Sequence, residues 1–444
     1  MSGFSWTLAA AAESIGGSVV GTRGLVVHSV TTDSRIVPPD SLFVAVVGER
    51  FDGHDFARDA IDAGAVAAVV ERGRSDVVPR IEVDDVAEAL VGLAAKRRAE
   101  ITAPVIAVTG STGKTSTKDL LAAGIEGSWA SPRSYNNEVG VPLTVLATPS
   151  DATALVIEAG SRGEGNLQWL ARCMQPDVSV ITNLGVVHLE TFGSPEGLAN
   201  AKYELVEMLG PDGVAVVPAD EPGLLRESRI RTLTFGSTTA ADVCATVDAI
   251  DAAGRPTITL TCGGWRRTIA LATAGRHQAS NAAAALAAAS AIGIDLDRFA
   301  DGMATATGSE WRMDVHHGTF TVVNDAYNAN PQSMESAMRT ISQMPGRPIA
   351  VLGPMAELGS VCEREHRRIG ELASRLGFAE VFVVGPDHGY GLGAPELVRK
   401  AADIDTLADT LRSALRPGDV VLVKASRSAG LERLALQLIE DASP

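Results

Sequence analysis

The chain has 444 residues, enough for two to three domains, and 45% of them are hydrophobic, enough to fill their cores. Its balance is acidic, 38 Lys and Arg against 54 Asp and Glu, which argues against nucleic acid as a partner but not against a nucleotide held at a locally electropositive site. The four cysteines form no C-x-x-C pair, no basic leader precedes the first apolar residues, and no apolar run reaches the length of a span, so a soluble cytoplasmic chain with no membrane partner is expected.

Residues 1–83 read as a small α/β unit. A helix over 8–15 closes at Gly16-Gly17, strands follow at 42–47 and 65–70, and a helix at 57–63 lies between them. Polar residues cluster in two turns, Asp33-Ser34-Arg35 and Asp52-Gly53-His54, as solvated turns or as ligand contacts. A helix over 84–100, with Val86, Leu90, Leu93 and Ala94 at helical spacing, opens a second unit, and the boundary falls near residue 83.

The stretch VIAVTGSTGKTST, residues 105–117, carries the clearest chemistry. Its apolar β-branched start reads as a buried strand. The turn Gly110-Ser111-Thr112-Gly113 and the following Lys114, Thr115 and Ser116 read as a phosphate-binding loop opening a helix. Backbone N–H groups and the helix dipole attract phosphate, a lysine reaches the β- and γ-phosphates, and a hydroxyl meets Mg²⁺. The match is to a short G-x-x-G-K-T form, since Val108 stands where the longer pattern has glycine.

Strands and helices then alternate, with strands expected at 155–158, 178–182 and 213–218. Functional side chains at the carboxyl ends of such strands suit an open, mostly parallel sheet. Glu158 ends one strand, as a Mg²⁺ ligand or as a salt-bridge or capping residue. Asn136 and Asn137 enter a helix starting near Pro142, as phosphate contacts or as caps. His188 and Lys202 read most simply as a structural histidine and a solvated helix lysine. The alternation fades over 235–271, where a hairpin turns at Gly263-Gly264, and a small-residue helix follows over 275–291.

From Met313 the βα alternation restarts, with strands at 320–323, 349–352, 381–384 and 420–423, so a third, doubly wound unit is expected and residues 308–312 are its hinge. Asp325-Ala326-Tyr327-Asn328-Ala329-Asn330 crowds polar groups at one strand end, which points to a ligand. Lys424-Ala425-Ser426-Arg427 ends the last strand with cations suited to a carboxylate or phosphate.

In this order the segments TTDSRIVPPDSLFVAVVGERFDGHDF, GSTGKTS, NNEVGVP, EAGSRGE, TNLGVVHLETFGSPEGLANAKYEL, GRHQASNAAAA, NDAYNANPQSM, LGPMAELG and VLVKASR resemble the Mur ligase family along nearly the whole chain. The resemblance implies an α/β protein of three domains: a small UDP-substrate domain at 1–83, a central P-loop-type ATP domain with a mostly parallel sheet at 84–312, and a doubly wound domain at 313–444 that takes the dipeptide and closes on the nucleotide. It implies an ATP-dependent amide ligase that joins D-alanyl-D-alanine to UDP-N-acetylmuramoyl-tripeptide through an acyl phosphate, in cytoplasmic peptidoglycan precursor synthesis.

By the same resemblance, residues 110–116 bind ATP together with Asn281 at the adenine and Arg312 and Asp325 from the third-domain side. Thr115 and Glu158 hold one Mg²⁺, while His188 and a carbamylated Lys202 hold a second. Lys114, Lys202, His188 and a phosphate-side Asn137 form the catalytic group. Ser34, Arg35, Asp52, His54, Tyr327, Asn328, Asn330, Lys424, Ser426 and Arg427 fall to the substrates. A monomer is expected. Two positions depart from the family pattern: Pro354 replaces an aspartate, and Gln278 stands where asparagine is frequent.

Overall fold

Three large sheets follow one another along the chain, beside a two-stranded antiparallel ribbon of Trp6–Thr7 and Val26–Val27, in the computed structural model, which describes residues 3–48, 50–185 and 192–443. The first sheet orders its strands Ser18–Val20, Arg80–Val83, Ala67–Glu71, Ser41–Val44, Ser29–Thr31, and only the edge strand Ser18–Val20 is antiparallel. The second sheet has nine strands. Trp129–Ala130, Leu155–Glu158, Val105–Thr109, Val178–Ile181, Val214–Pro218, Arg231–Gly236 and Val243–Ile250 run parallel, and Pro256–Cys262 and Trp265–Ala270 extend it antiparallel. The third orders Asp314–His316, Thr321–Asn324, Asp419–Lys424, Arg347–Leu352, Glu380–Val384, Val398–Ala401, all parallel except Asp314–His316. The fold is therefore α/β with mostly parallel sheets, as the sequence pattern predicts.

The hairpin forms at the expected glycines. Cys262 pairs with Trp265 across Gly263-Gly264, and Gly263 takes a φ of 57° that a side chain would resist. Where the alternation fades, the sheet in fact continues through Arg231–Gly236 and Val243–Ile250. These strands carry exposed polar residues on part of their length, so they lack the apolar run of a strand covered on both faces.

The first two sheets share a core. Asp85 caps the helix Val86–Arg98 by accepting from the amides of Ala87 and Glu88. The helix then buries Val86, Ala89, Leu90, Val91, Leu93 and Ala94 in one apolar cluster that runs from Trp6, Leu42 and Val69 to Val105, Leu155 and Leu170. The third sheet is covered on its two faces by separate clusters, with Met338 and Ile369 on one side and Leu407 and Leu434 on the other.

The helix Gln278–Ala291 is buried along most of its length, with Ala282 through Ala289 fully inaccessible. Alanines let it lie close to the sheet and to the helix Lys114–Gly124. That closeness brings Asn281 to the glycine loop.

Candidate active site

The carboxyl ends of Val105–Thr109, Leu155–Glu158 and Val178–Ile181 in the central sheet face those of Thr321–Asn324 and Asp419–Lys424 in the third. Between them lies a cleft of about 220 Å³, lined from one side by residues 111–116, Asn136 and Glu158, and from the other by Asp325, Tyr327, Asn328, Asn330 and Lys424. Crevices at strand carboxyl ends are where open α/β sheets bind ligands.

The glycine loop is laced to the end of the neighbouring strand. Ser111 N–H donates to the Asn183 carbonyl, Thr112 N–H to Asn183 Oδ1, and the Asn183 amide to Thr112 Oγ1 at 2.6 Å. Gly110 has a φ of 141°, and a Cβ there would lie 2.0 Å from Thr182 Oγ1. Gly113 has a φ of 78°, and its Cβ would lie 2.4 Å from Asn281 Oδ1. Both glycines are required by backbone and by space. The helix Lys114–Gly124 then begins directly at the cleft, its first amides pointing into it.

Lys114 Nζ donates to the Gly110 carbonyl at 2.8 Å. Burial pushes its pKa below the usual lysine value; the Glu158 carboxylate opposes that fall and the Arg312 cation adds to it. Thr115 Oγ1 donates to Glu158 Oε2 at 2.8 Å, and Asn136 donates to Glu158 Oε1 at 2.6 Å. Arg312 stacks over the Tyr327 ring at 4.1 Å and donates to Ser134 Oγ at 3.2 Å. Its Nε is buried with no hydrogen-bond partner among the described residues. Across the cleft, Lys424 Nζ meets Asp325 Oδ2 at 2.5 Å and the Asn328 carbonyl at 3.0 Å. Ser426 Oγ donates to the Ala329 carbonyl and accepts from Ala356 N–H, tying this run to the Pro354 loop. Asn330 caps the helix Pro331–Ile341, whose N-terminus also faces the cleft.

Several expected residues sit differently from their first reading. Lys202 is not a solvated helix lysine: in the helix Pro195–Glu207 it is 2% exposed, its ammonium 5.8 Å from the Phe192 ring centroid. Burial brings its pKa down to about 7, the Lys114 charge adds to the fall, and Glu204 opposes it. Glu204 itself caps the helix Asn166–Met174 through the amides of Gly165 and Gln168, so the packing of one helix on another carries Lys202 inside. Asn137 uses its side-chain oxygen on the amides of Val139 and Gly140, at the start of the helix Gly140–Leu146, and its neighbour Asn136 is the one in the cleft. His188 lies outside the described residues.

The first-domain residues stand apart from the cleft. Arg35 is exposed and paired with Asp33, beside Ser34. Asp52 accepts from His54 Nδ1 at 2.7 Å, while His54 Nε2 accepts from Glu71 N–H at 2.9 Å, which fixes the proton on Nδ1 and locks a turn. Arg427 stacks on Trp311 at 4.5 Å and pairs with Glu432. The cleft also contains two residues of the GRHQASNAAAA segment to which the sequence assigns no site role: His277, whose Nδ1 lies 2.8 Å from Ser336 Oγ across the two units, and Gln278, which accepts from Asn281. Their signal was only their nearness in sequence to Asn281.

The comparisons with known proteins agree along the whole chain. Family models match in series: the Mur ligase family, catalytic domain, at residues 26–98; the Mur ligase middle domain at 108–289; and the Mur ligase, glutamate ligase domain, at 311–427. UDP-N-acetylmuramoyl-tripeptide--D-alanyl-D-alanine ligase of Mycobacterium tuberculosis is 36% identical, over 98% of each chain, and that of Escherichia coli is 34% identical, over 98% of this chain and 99% of the relative. Among solved structures, MurF from Acinetobacter baumannii superposes with a TM-score of 0.89 at 28% identity, over 99% of this chain and 100% of that one. MurF ligase from Thermotoga maritima in complex with ADP gives 0.84 at 29%, over 93% and 97%. With a nucleotide loop, a facing third sheet and full-length relatives of one kind, the chain belongs to the Mur ligase family.

Proposed function

We propose that this protein is an ATP-dependent ligase that joins D-alanyl-D-alanine to UDP-N-acetylmuramoyl-tripeptide, forming ADP and phosphate, in cytoplasmic peptidoglycan precursor synthesis. The observation that carries the proposal is the cleft in which the glycine loop faces the Asp325–Asn330 and Lys424 groups, in a chain whose full-length relatives bear that name. No helix among the described residues is long and apolar enough to cross a membrane.

The three sheets divide the work. Residues 1–83 take the UDP end of the tripeptide substrate through Ser34, Arg35, Asp52 and His54. Residues 84–312 take ATP, and residues 313–444 take the dipeptide through Tyr327, Asn328, Asn330, Lys424, Ser426 and Arg427. Asn281 meets the adenine, and Arg312 and Asp325 approach the nucleotide from the hinge side. Asn136 takes the phosphate-side place first read at Asn137.

The residues fit magnesium. Thr115 and Glu158 offer hard oxygen donors 2.8 Å apart, and the unpartnered buried Arg312 N–H awaits an acceptor such as a phosphate. Magnesium keeps several waters and takes its remaining oxygens from substrate phosphates, so one or two protein oxygens suffice to hold it. Thr115 and Glu158 would hold one Mg²⁺, and His188 with carbamylated Lys202 a second; bound there, the ions offset charge between carboxylate and triphosphate. A lysine with a pKa near 7 has the neutral amine that CO₂ requires, and a carbamate turns a buried cation into an oxygen donor.

The tripeptide carboxylate attacks the γ-phosphate, and Lys114 and Arg312 stabilise the charge on the transferring group. The acyl phosphate then receives the neutral amine of the dipeptide, and the tetrahedral adduct collapses to amide and phosphate. The enclosing third unit keeps water from the acyl phosphate. The test is an amide-formation assay with each of ATP, UDP-N-acetylmuramoyl-tripeptide and D-alanyl-D-alanine omitted in turn. Amide formed only with all three supports the reading, and ATP turnover without amide when all three are present overturns it.

A further inference from the structure

The link between the central and third units runs from the helix Leu296–Ala304 to the strand Asp314–His316 and is pinned from both sides. From the central side, Asp119 Oδ2 accepts from Ser309 N–H at 3.1 Å and from the Ser309 hydroxyl at 2.7 Å. From the third side, Tyr327 N–H donates to the Trp311 carbonyl at 3.2 Å, and Met313 N–H donates to Asp325 Oδ1 at 3.1 Å. Only Glu310 separates the Ser309 anchor from the first third-side pin at Trp311, and Arg312 beyond it reaches back to Ser134 on the central side. Trp311 and Met313 hold left-handed φ values of 61° and 49°, which side chains adopt only under constraint.

Asp119 is not a free surface carboxylate. It lies in the second turn of the helix Lys114–Gly124, and its Oδ1 pairs with Lys118 Nζ at 2.8 Å. Lys118 is 4% exposed, and its ammonium also donates to the carbonyls of Ser131 and Arg133, both at 3.1 Å. Ser131 Oγ accepts from Glu158 N–H at 3.0 Å. On the same loop, Ser134 Oγ lies 3.3 Å from Thr115 Oγ1 and accepts from Arg312. One continuous network therefore joins the loop helix, the Glu158 strand end and the hinge.

We propose that Asp119 is a positioning residue for the ligase reaction: it fastens the hinge to the glycine-loop helix and so sets how the third unit closes over the phosphates. The proposal rests on the ligase reading above. With the Ser309 anchor in place, Glu310 alone separates the central anchor from the Trp311 pin. Without it, the link is unanchored from Thr307 to Glu310, since Ala306 is the last residue buried in the central core, and closure loses its register on the nucleotide. A loosely closed third unit admits water. Attack by the amine breaks the acyl–oxygen bond and gives amide and phosphate, whereas attack by water gives back the carboxylate and phosphate with no amide.

The readout is therefore phosphate released per amide formed, measured for the wild type, Asp119→Ala, Asp119→Asn and Ser309→Ala, together with ATP affinity in the absence of the other substrates. The wild type should release one phosphate per amide; a wild type that forms no amide instead sinks the ligase reading. Asp119→Ala should keep its ATP affinity, lose on the order of a hundredfold in kcat/KM for the dipeptide through misplacement, and release several phosphates per amide. Ser309→Ala removes one of the two hydrogen bonds and carries little folding risk, so it should move the ratio in the same direction. Asp119→Asn keeps an oxygen for both Ser309 donors but turns its amide N–H₂ toward the Lys118 ammonium, so its ratio should fall between those of the wild type and Asp119→Ala. A ratio of one in both Ser309→Ala and folded Asp119→Ala, or a loss of ATP affinity in step with turnover, would overturn the proposal.

Discussion

A lysine 2% exposed on a helix with an unremarkable sequence is decided by its surroundings, and Lys202 is that case. Its amine, near 7, should take up CO₂ as the pH rises through about 7, rather than through the ordinary lysine range. Carbon NMR with labelled bicarbonate checks this, and uptake only above pH 9 would contradict it. Lys202→Met keeps the buried apolar stem and should fold yet lose activity, and Lys202→Arg should be inactive as well because a guanidinium cannot form the carbamate. Lys114→Ala should lower turnover by at least ~10³-fold, about 4 kcal/mol of transition-state stabilisation, in single-turnover assays. Asn136 and Asn137 separate cleanly. Asn137→Ala removes a helix cap and should cost about 1 kcal/mol in urea unfolding with activity retained. Asn136→Ala releases the Glu158 carboxylate and should lower activity ~10–100-fold at nearly unchanged stability.

At the scale of elements, the helix Val86–Arg98 is the joint between the first two sheets. Leu90 is fully buried in their common core, so Leu90→Ala should cost about 2–5 kcal/mol. Calorimetry should show that loss in a transition covering both sheets at once; separate melting of residues before the helix would contradict a shared core. The glycine loop, the strand ends and the Gly263-Gly264 turn were readable because each rests on local rules: φ above zero, a buried strand, a helix start. Three things were not readable. Whether Asn136 or Asn137 enters the cleft depends on which one the next helix claims. The burial of Lys202 depends on Glu204 docking its helix on another. The parallel strands Arg231–Gly236 and Val243–Ile250 carry too many polar residues to announce themselves.

Over the whole molecule, the cleft is closed by contacts between units, and one of them titrates. His277, on the central side, meets Ser336 on the third-domain helix, and burial pushes its pKa down to about 4, with Asp325 opposing and Lys424 adding to the shift. An unfolded chain protonates this histidine at about 6.5, so between 6.5 and 4 the unfolded state binds the proton first and folding stability falls as pH falls. Urea unfolding of the wild type should lose more stability across that interval than His277→Gln does, and equal losses would remove His277 from the account.

The three large sheets do not have three separate cores. Because one core spans the first and central sheets, the proposed sites for the UDP-linked acceptor and for ATP stand on one packed body, while the proposed dipeptide site stands on the unit beyond Glu310. On that reading the shared core should hold the two anionic reactants in fixed register, and closure of the third unit should deliver the nucleophile. Such an arrangement predicts an order of arrival: the dipeptide should enter last, after the acid has been activated, so its binding should require both ATP and the UDP-linked acceptor, which equilibrium titration with each omitted would check.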